Sequence, residues 1–198
     1  MGILNVTPDS FSGDGLLARP EDAPFLQRVV SKALQMIAEG ADILDMGGES
    51  TRPGAAPVDA ETEISRIVPA IRAIRAETDA PLSVDTYKAS VARAALDAGA
   101  DMVNDVWGLR MDPEMAPLVA ERRVPIVIMH NRSKPHNAAQ EARLGGRYIG
   151  VHYEDLLADI LHELRGQITM ALERGIAPEQ ILVDPGIGFG KTVEQNLS

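Results

Sequence analysis

Two stretches of this chain form a weak internal repeat. Residues 38–45 read AEGADILD, and residues 97–105 read DAGADMVND. Each leaves a helix-like run, turns at a glycine, steps through Gly-Ala-Asp and enters an apolar strand. A looser third copy, ERGIAPEQILVD, occupies 173–184. A reused helix–turn–strand unit narrows the topology sharply. Parallel strands cannot be joined by a tight hairpin and need a crossover, usually a helix. Strands covered by helices on both faces read as short, continuous apolar runs, as these do. The expectation is an α/β fold with a parallel sheet.

The same pattern extends in both directions. Strands are expected at 2–6, 42–46, 82–85, 101–105, 125–130 and 181–184. Helices are expected at 24–39, 60–77, 87–98, 112–122 and 152–174. In the first helix Phe25, Val29, Val30, Ala33, Leu34 and Ile37 fall near helical spacing. Gly40 follows as its cap. Residues 131–147 are polar and rich in Asn, Arg and Gly, and a long mobile loop is expected there.

Two architectures suit this order, an open doubly wound sheet and a (β/α)8 barrel. Asn5, Asp45, Asp85, Asn104, His130 and Asp184 all fall at or near the C-terminal ends of strands. Barrel enzymes collect their chemistry on that face from many strands, whereas an open sheet concentrates it at one switch point. The barrel is the better reading. A full barrel takes about 250 residues. The chain has 198 and six countable strands, so one barrel domain over 1–198 is expected, incomplete at the C-terminus and also at the N-terminus.

Charge and composition exclude several functions. Nineteen basic against twenty-nine acidic residues argue against a general nucleic-acid or anionic-membrane partner. The absence of cysteine removes disulfides and thiolate metal sites. The start, MGILNVTPDS, lacks the basic and apolar regions of a signal peptide, so a soluble, cytoplasmic protein is expected.

The most tempting motif is DPGIGFGKT at 184–192. A phosphate-binding P-loop needs G-x-x-x-x-G-K-[ST]. Counting back from Gly190-Lys191-Thr192, the first glycine would fall at 185, where Pro stands. The better reading is a strand ending in a ligand-binding Asp184, with glycines that let the backbone pass close to a flat ligand. Asp85, Asn104 and Asp184 suit a heterocycle with an amidine-like edge, since a carboxylate accepts two N–H bonds and an amide both donates and accepts. Helix capping is the plainer alternative, most natural at Asp85-Thr86. Asn5 can offer a carbonyl oxygen to a hard cation. Ser50, Thr51 and Arg52 suit phosphate oxygens. Phe11 is a large apolar residue in a Gly/Ser loop, with a pocket or ligand to cover. His130 is a candidate ligand contact, and Trp107 a candidate pocket wall. His152 and His162 are expected on a helix, structural or solvated. His162-Glu163 lacks the second histidine of a zinc-protease motif.

Taken together, MGILNVTPDSFS, GADILDMGGESTRPGA, LSVDTYK, AGADMVNDVWG, PIVIMH and ILVDPGIGFGKT resemble the dihydropteroate synthase family, in family order over nearly the whole chain. That resemblance implies a (β/α)8 barrel. It also implies a transferase of folate biosynthesis, condensing 6-hydroxymethyl-7,8-dihydropterin diphosphate with p-aminobenzoate to 7,8-dihydropteroate. It implies Mg2+, ligated by Asn5 near the diphosphate. Asp85, Asn104 and Asp184 would hold the pterin. Thr51 and Arg52 would contact the diphosphate. Phe11, Pro53 and Phe189 would shape the p-aminobenzoate site. Catalytic weight falls on Asp85, Asp184 and Arg52. Family members are commonly dimers, so a homodimer is the assembly the resemblance allows.

The resemblance also has departures. The family's first loop usually ends Ser-Asp-Gly-Gly, and here it reads Ser12-Gly13-Asp14-Gly15. The family's later Lys and Arg-x-His have no counterpart in this sequence. The 198-residue chain alone is therefore expected to be weakly active or inactive, and prone to aggregate through open sheet edges. Two rivals stand beside the synthase. One is a pterin-binding methyltransferase domain, which would not be expected to keep both NVTPDSFS and STRPG. The other is a non-catalytic pterin-binding paralogue.

Overall fold

In the computed structural model the described residues are 1–6, 23–49, 58–132, 139–141, 147–149 and 152–197. They form two compact units. The first holds the described residues of Met1–Ser50 and Val58–Asn104, the second those of Asp105–Ser198.

The first unit contains β1 (Gly2–Asn5), α1 (Ala23–Ala38), β2 (Leu44–Gly47), α2 (Ala60–Arg75), β3 (Leu82–Asp85), α3 (Ala89–Ala98) and the start of β4 (Met102–Asp105). Its strands are parallel and pair in chain order, β1 with β2, β2 with β3, β3 with β4. The apolar runs make its core: Leu4, Leu44, Met46, Leu82 and Val84 from the strands, Ile67 and Ile71 from α2. On α1 the expected stripe is buried at Phe25, Val29 and Ala33, while Leu34 stays 39% exposed at the stripe's edge. Gly40 ends this helix with φ 100°, as a cap glycine should. Asp59 starts α2, its carboxylate accepting the Thr62 N–H at 2.7 Å.

The second unit contains α4 (Met115–Arg122), β5 (Ile126–Met129), β6 (Ala139–Glu141), β7 (Arg147–Ile149), α5 (Leu156–Glu173), β8 (Ile181–Asp184) and α6 (Val193–Leu197). β5 and β8 are parallel neighbours, Ile126 to Ile181 through Met129 to Asp184. Among the described residues, six parallel strands thus alternate with helices, the chain order of a (β/α)8 barrel carried through six units.

Three sequence expectations are corrected. The polar stretch 131–147 is not all loop: Ala139–Glu141 pairs antiparallel with Arg147–Ile149. Its three-residue strands are too short for an alternation to register. The helix expected from 152 begins at Leu156, because Asp155 takes the N-cap position and accepts the Ala158 N–H at 3.0 Å. His152 therefore precedes the helix, exposed. Finally, α6 was not expected. Thr192 and Gln195 form a reciprocal capping box, with Thr192 N–H donating to Gln195 Oε1 at 2.9 Å and Gln195 N–H to Thr192 Oγ1 at 3.2 Å.

Candidate pterin-binding site

Parallel register aligns the strand ends of the first unit. Asn5 pairs with Gly47, Gly47 with Asp85, and Asp85 with Asn104. These four residues form one cross-strand row at the C-terminal ends of β1–β4. Side chains in such a row share a face, because strand faces alternate with period two. Gly47 leaves a gap in the row: a Cβ there would lie 3.6 Å from both Asn5 Oδ1 and Asp85 Oδ2. The side chains of Asn5 and Asp85 therefore border the same space.

One layer below, on the same face, lies Asp45, 4% exposed. The Asn104 side chain donates N–H to Asp45 Oδ2 at 3.0 Å. Burial pushes the Asp45 carboxyl above the usual carboxylate range, and the Asn104 N–H pulls against that. The capping alternative at Asp85 does not hold, since the residue at the N-cap of α3 is Lys88.

Lys88 organises the loop side of this unit. Its ammonium bonds Glu49 and Glu63, each at 2.5 Å, and sits 4.8 Å over the Tyr87 ring. The Glu63 side chain is 1% exposed. Burial raises its carboxyl despite Lys88. Burial works against the Lys88 charge, yet the two carboxylates outweigh it and its pKa lies above the ordinary value. Glu49 Oε1 also accepts the Val58 N–H at 3.3 Å, and Arg66 donates to the Gly48 carbonyl at 2.8 Å.

In the second unit Asp184 ends β8. Its Oδ1 accepts the Gly186 N–H at 2.7 Å, and its carbonyl accepts the His130 N–H at 2.9 Å. Gly186 has φ 71°, and a Cβ there would collide with the His130 carbonyl. Lys191 is 4% exposed. It does not reach outward as a P-loop lysine would. Its Nζ donates to the carbonyls of Gly186 at 2.9 Å and Phe189 at 3.1 Å, and lies 3.2 Å from His130 Nδ1. Burial lowers its pKa to about 8. Tyr153, just before α5, donates its hydroxyl to the Gly190 carbonyl at 3.1 Å. Burial pushes that phenol up to about 12.

His130 and Trp107 are both buried, at 0% and 6% exposure. Within this unit His130 Nδ1 faces Lys191. Trp107 is held by Asp105, whose carboxylate accepts the Trp107 N–H at 2.9 Å and the Leu109 N–H at 2.8 Å. Phe11, Thr51, Arg52 and Pro53, with the Ser12–Gly15 departure, lie outside the described residues. Sequence reasoning did not single out Lys88, Glu63 or Lys191 as site supports. An acidic residue on the buried face of α2 was the available signal for Glu63. Lys191 was hidden by its likeness to a different motif.

Comparison with known proteins places the chain in a family. The model of the pterin binding enzyme family matches residues 1–198. Dihydropteroate synthase of Clostridium beijerinckii is 47% identical over 197 residues, covering 100% of this chain and 65% of the relative. That of Bacillus subtilis is 46% identical over 198 residues, covering 100% and 62%. The chain thus spans less than two thirds of the length of these relatives. The dihydropteroate synthase structure from Clostridium difficile, obtained in the presence of pteroic acid, superposes with TM-score 0.84 at 43% identity, covering 100% of this chain and 67% of that one. The Xanthomonas albilineans enzyme in complex with 7,8-dihydropteroate gives 0.79 at 40%, covering 100% and 63%. With a family model spanning every position, the chain belongs to the pterin-binding enzyme family.

Proposed function

We propose that the protein is a dihydropteroate synthase. One observation carries the reading: the row Asn5–Gly47–Asp85–Asn104, which presents a carboxylate and an amide beside a side-chain-free gap. A planar pterin with N–H donors and ring-nitrogen acceptors complements such a pair. The identity to synthases over the whole chain supports the same conclusion.

On this reading the C–O bond between the pterin methylene and the diphosphate breaks first. The diphosphate leaves with the bonding pair. The amine of p-aminobenzoate then forms the C–N bond and gives up a proton. Carboxylates at Asp85 and Asp184 stabilise the positive charge that builds on the pterin. Thr51 and Arg52 take the diphosphate, and Phe11, Pro53 and Phe189 take p-aminobenzoate, each assigned by the family pattern. The donor set fits Mg2+. Magnesium prefers one or two protein oxygens plus water and substrate phosphate, and Asn5 Oδ1 borders the Gly47 gap beside an Asp85 oxygen. Bound there, the ion would neutralise charge on the departing diphosphate. Asn5 is its protein ligand in this reading. The cysteine-free sequence accords with a cytoplasmic setting.

The test is product formation. The full-length protein, given the dihydropterin diphosphate, p-aminobenzoate and Mg2+, should release dihydropteroate and diphosphate in equal amounts. Asp184→Asn should lower the rate about a hundredfold or more. Pterin binding without product, or methyl transfer in its place, would overturn the proposal.

A further inference from the structure

We infer that Lys191 is a positioning residue: it fixes the 185–190 loop and holds His130 in a single neutral tautomer. An ammonium has three N–H donors and no acceptor. All three are accounted for here, by the Gly186 carbonyl, the Phe189 carbonyl and His130 Nδ1. Nothing remains for a phosphate, although the local letters Gly-Lys-Thr suggest one.

The donor count dictates the histidine. A ring nitrogen facing an ammonium must accept, so Nδ1 carries no proton and Nε2 carries it. Nε2 lies 3.1 Å from Glu163 Oε2, near the carboxylate but without a formed hydrogen bond. Glu163 in turn bonds Arg132 Nε at 2.6 Å, and Arg132 stacks 4.3 Å over the Tyr153 ring. Tyr153 returns to the loop through the Gly190 carbonyl. The loop carbonyls of Gly186, Phe189 and Gly190 are thereby held by two side chains, Lys191 and Tyr153. A loop with its carbonyls held in this way keeps the Phe189 backbone in one place. That role rests on the proposed synthase reading, in which Phe189 walls the p-aminobenzoate site.

Three measurements test this in the full-length protein. Two-bond ¹H–¹⁵N spectra, with the His130 signals assigned by their loss in His130→Asn, should show the Nε2–H tautomer. Lys191→Met should then give mixed tautomers. The same variant should raise the KM for p-aminobenzoate about tenfold, with the KM for the pterin diphosphate changed about twofold or less. His130→Asn puts an amide oxygen near the Nδ1 position, keeps an acceptor for Lys191, and should leave both constants near wild type. A thermal melt checks that each variant is folded. An Nδ1–H tautomer in the wild type would overturn the inference, as would unchanged tautomers in Lys191→Met. Equal loss for both substrates would do the same, since a merely structural lysine predicts it. If Lys191→Met does not fold, the wild-type tautomer and the His130→Asn constants still decide. Absence of turnover in the wild type would sink the synthase reading alone, because the tautomer measurement needs no substrate.

Discussion

Asp45 holds the Asn104 side chain by its amide nitrogen, 3.0 Å from Nδ2 to Oδ2, from a position two strands away and 4% exposed. The Asp45 oxygen accepts this N–H. It therefore turns the Asn104 NH2 inward and leaves the amide oxygen and one N–H for a ligand. Removing the carboxylate frees the amide to rotate. Asp45→Ala should weaken pterin binding about tenfold by calorimetry, while Asp45→Asn, which keeps one acceptor, should lose less. Wild-type affinity in Asp45→Ala would show that the pair does not matter for binding.

Lys88 lies between Glu49 and Glu63 with side chains 16%, 11% and 1% exposed. Removing the cation would leave two close carboxylates without compensation. Lys88→Met should cost about 3 kcal/mol of stability in denaturant unfolding. Adding Glu63→Gln should restore part of it, a coupling of about 1 kcal/mol or more. The deficit of Lys88→Met should also narrow as pH falls, because protonation relieves the repulsion. Additive losses in the double variant would argue against a shared network.

Burial raises the Asp105 carboxyl to about 6, against the backbone N–H groups of Trp107 and Leu109 and the Arg110 charge. The folded value exceeds that of an unfolded Asp, near 3.9. Between the two the native state binds more protons. The stability this group contributes is thus full below about pH 4 and is lost as pH rises through about 6. Unfolding midpoints of wild type and Asp105→Asn should diverge across that window, and Trp107 emission should titrate near pH 6. Parallel profiles would refute the assignment.

Gly186 combines φ 71° with a backbone carbonyl where a Cβ would go. Both strain and overlap oppose a side chain. Gly186→Ala should lower stability by about 3 kcal/mol. A midpoint shift equivalent to less than about 0.5 kcal/mol, the range of ordinary surface changes, would mean the loop relaxes freely.

The strand–helix order was legible because the apolar runs are short and the crossovers long. Asp85, Asn104 and Asp184 could be read from their position at strand ends. The supporting residues were harder. Asp45 is legible as a strand-end residue, but its bond to Asn104 spans 59 positions and leaves no local pattern. Lys191 sits in a motif whose letters suggest phosphate, and only three-dimensional donor counting reassigns it. The β6–β7 pair and α6 escaped for a different reason. Their three to five residues are shorter than one period of the signals that reveal longer elements.

The row from Asn5 to Asn104 has a consequence for how this chain can change length. A one-residue slip in a strand turns every later side chain to the opposite face. A deletion within Leu44–Gly47 would present Asp45 to the wrong layer and fill the gap at Gly47 with a neighbour's side chain. Lengthening the turn between Asp105 and Met115, outside the paired registers, would leave the row untouched. Insertions and deletions should therefore survive in the connections and be purged from the strands. The chain can lengthen between its strands more readily than within them.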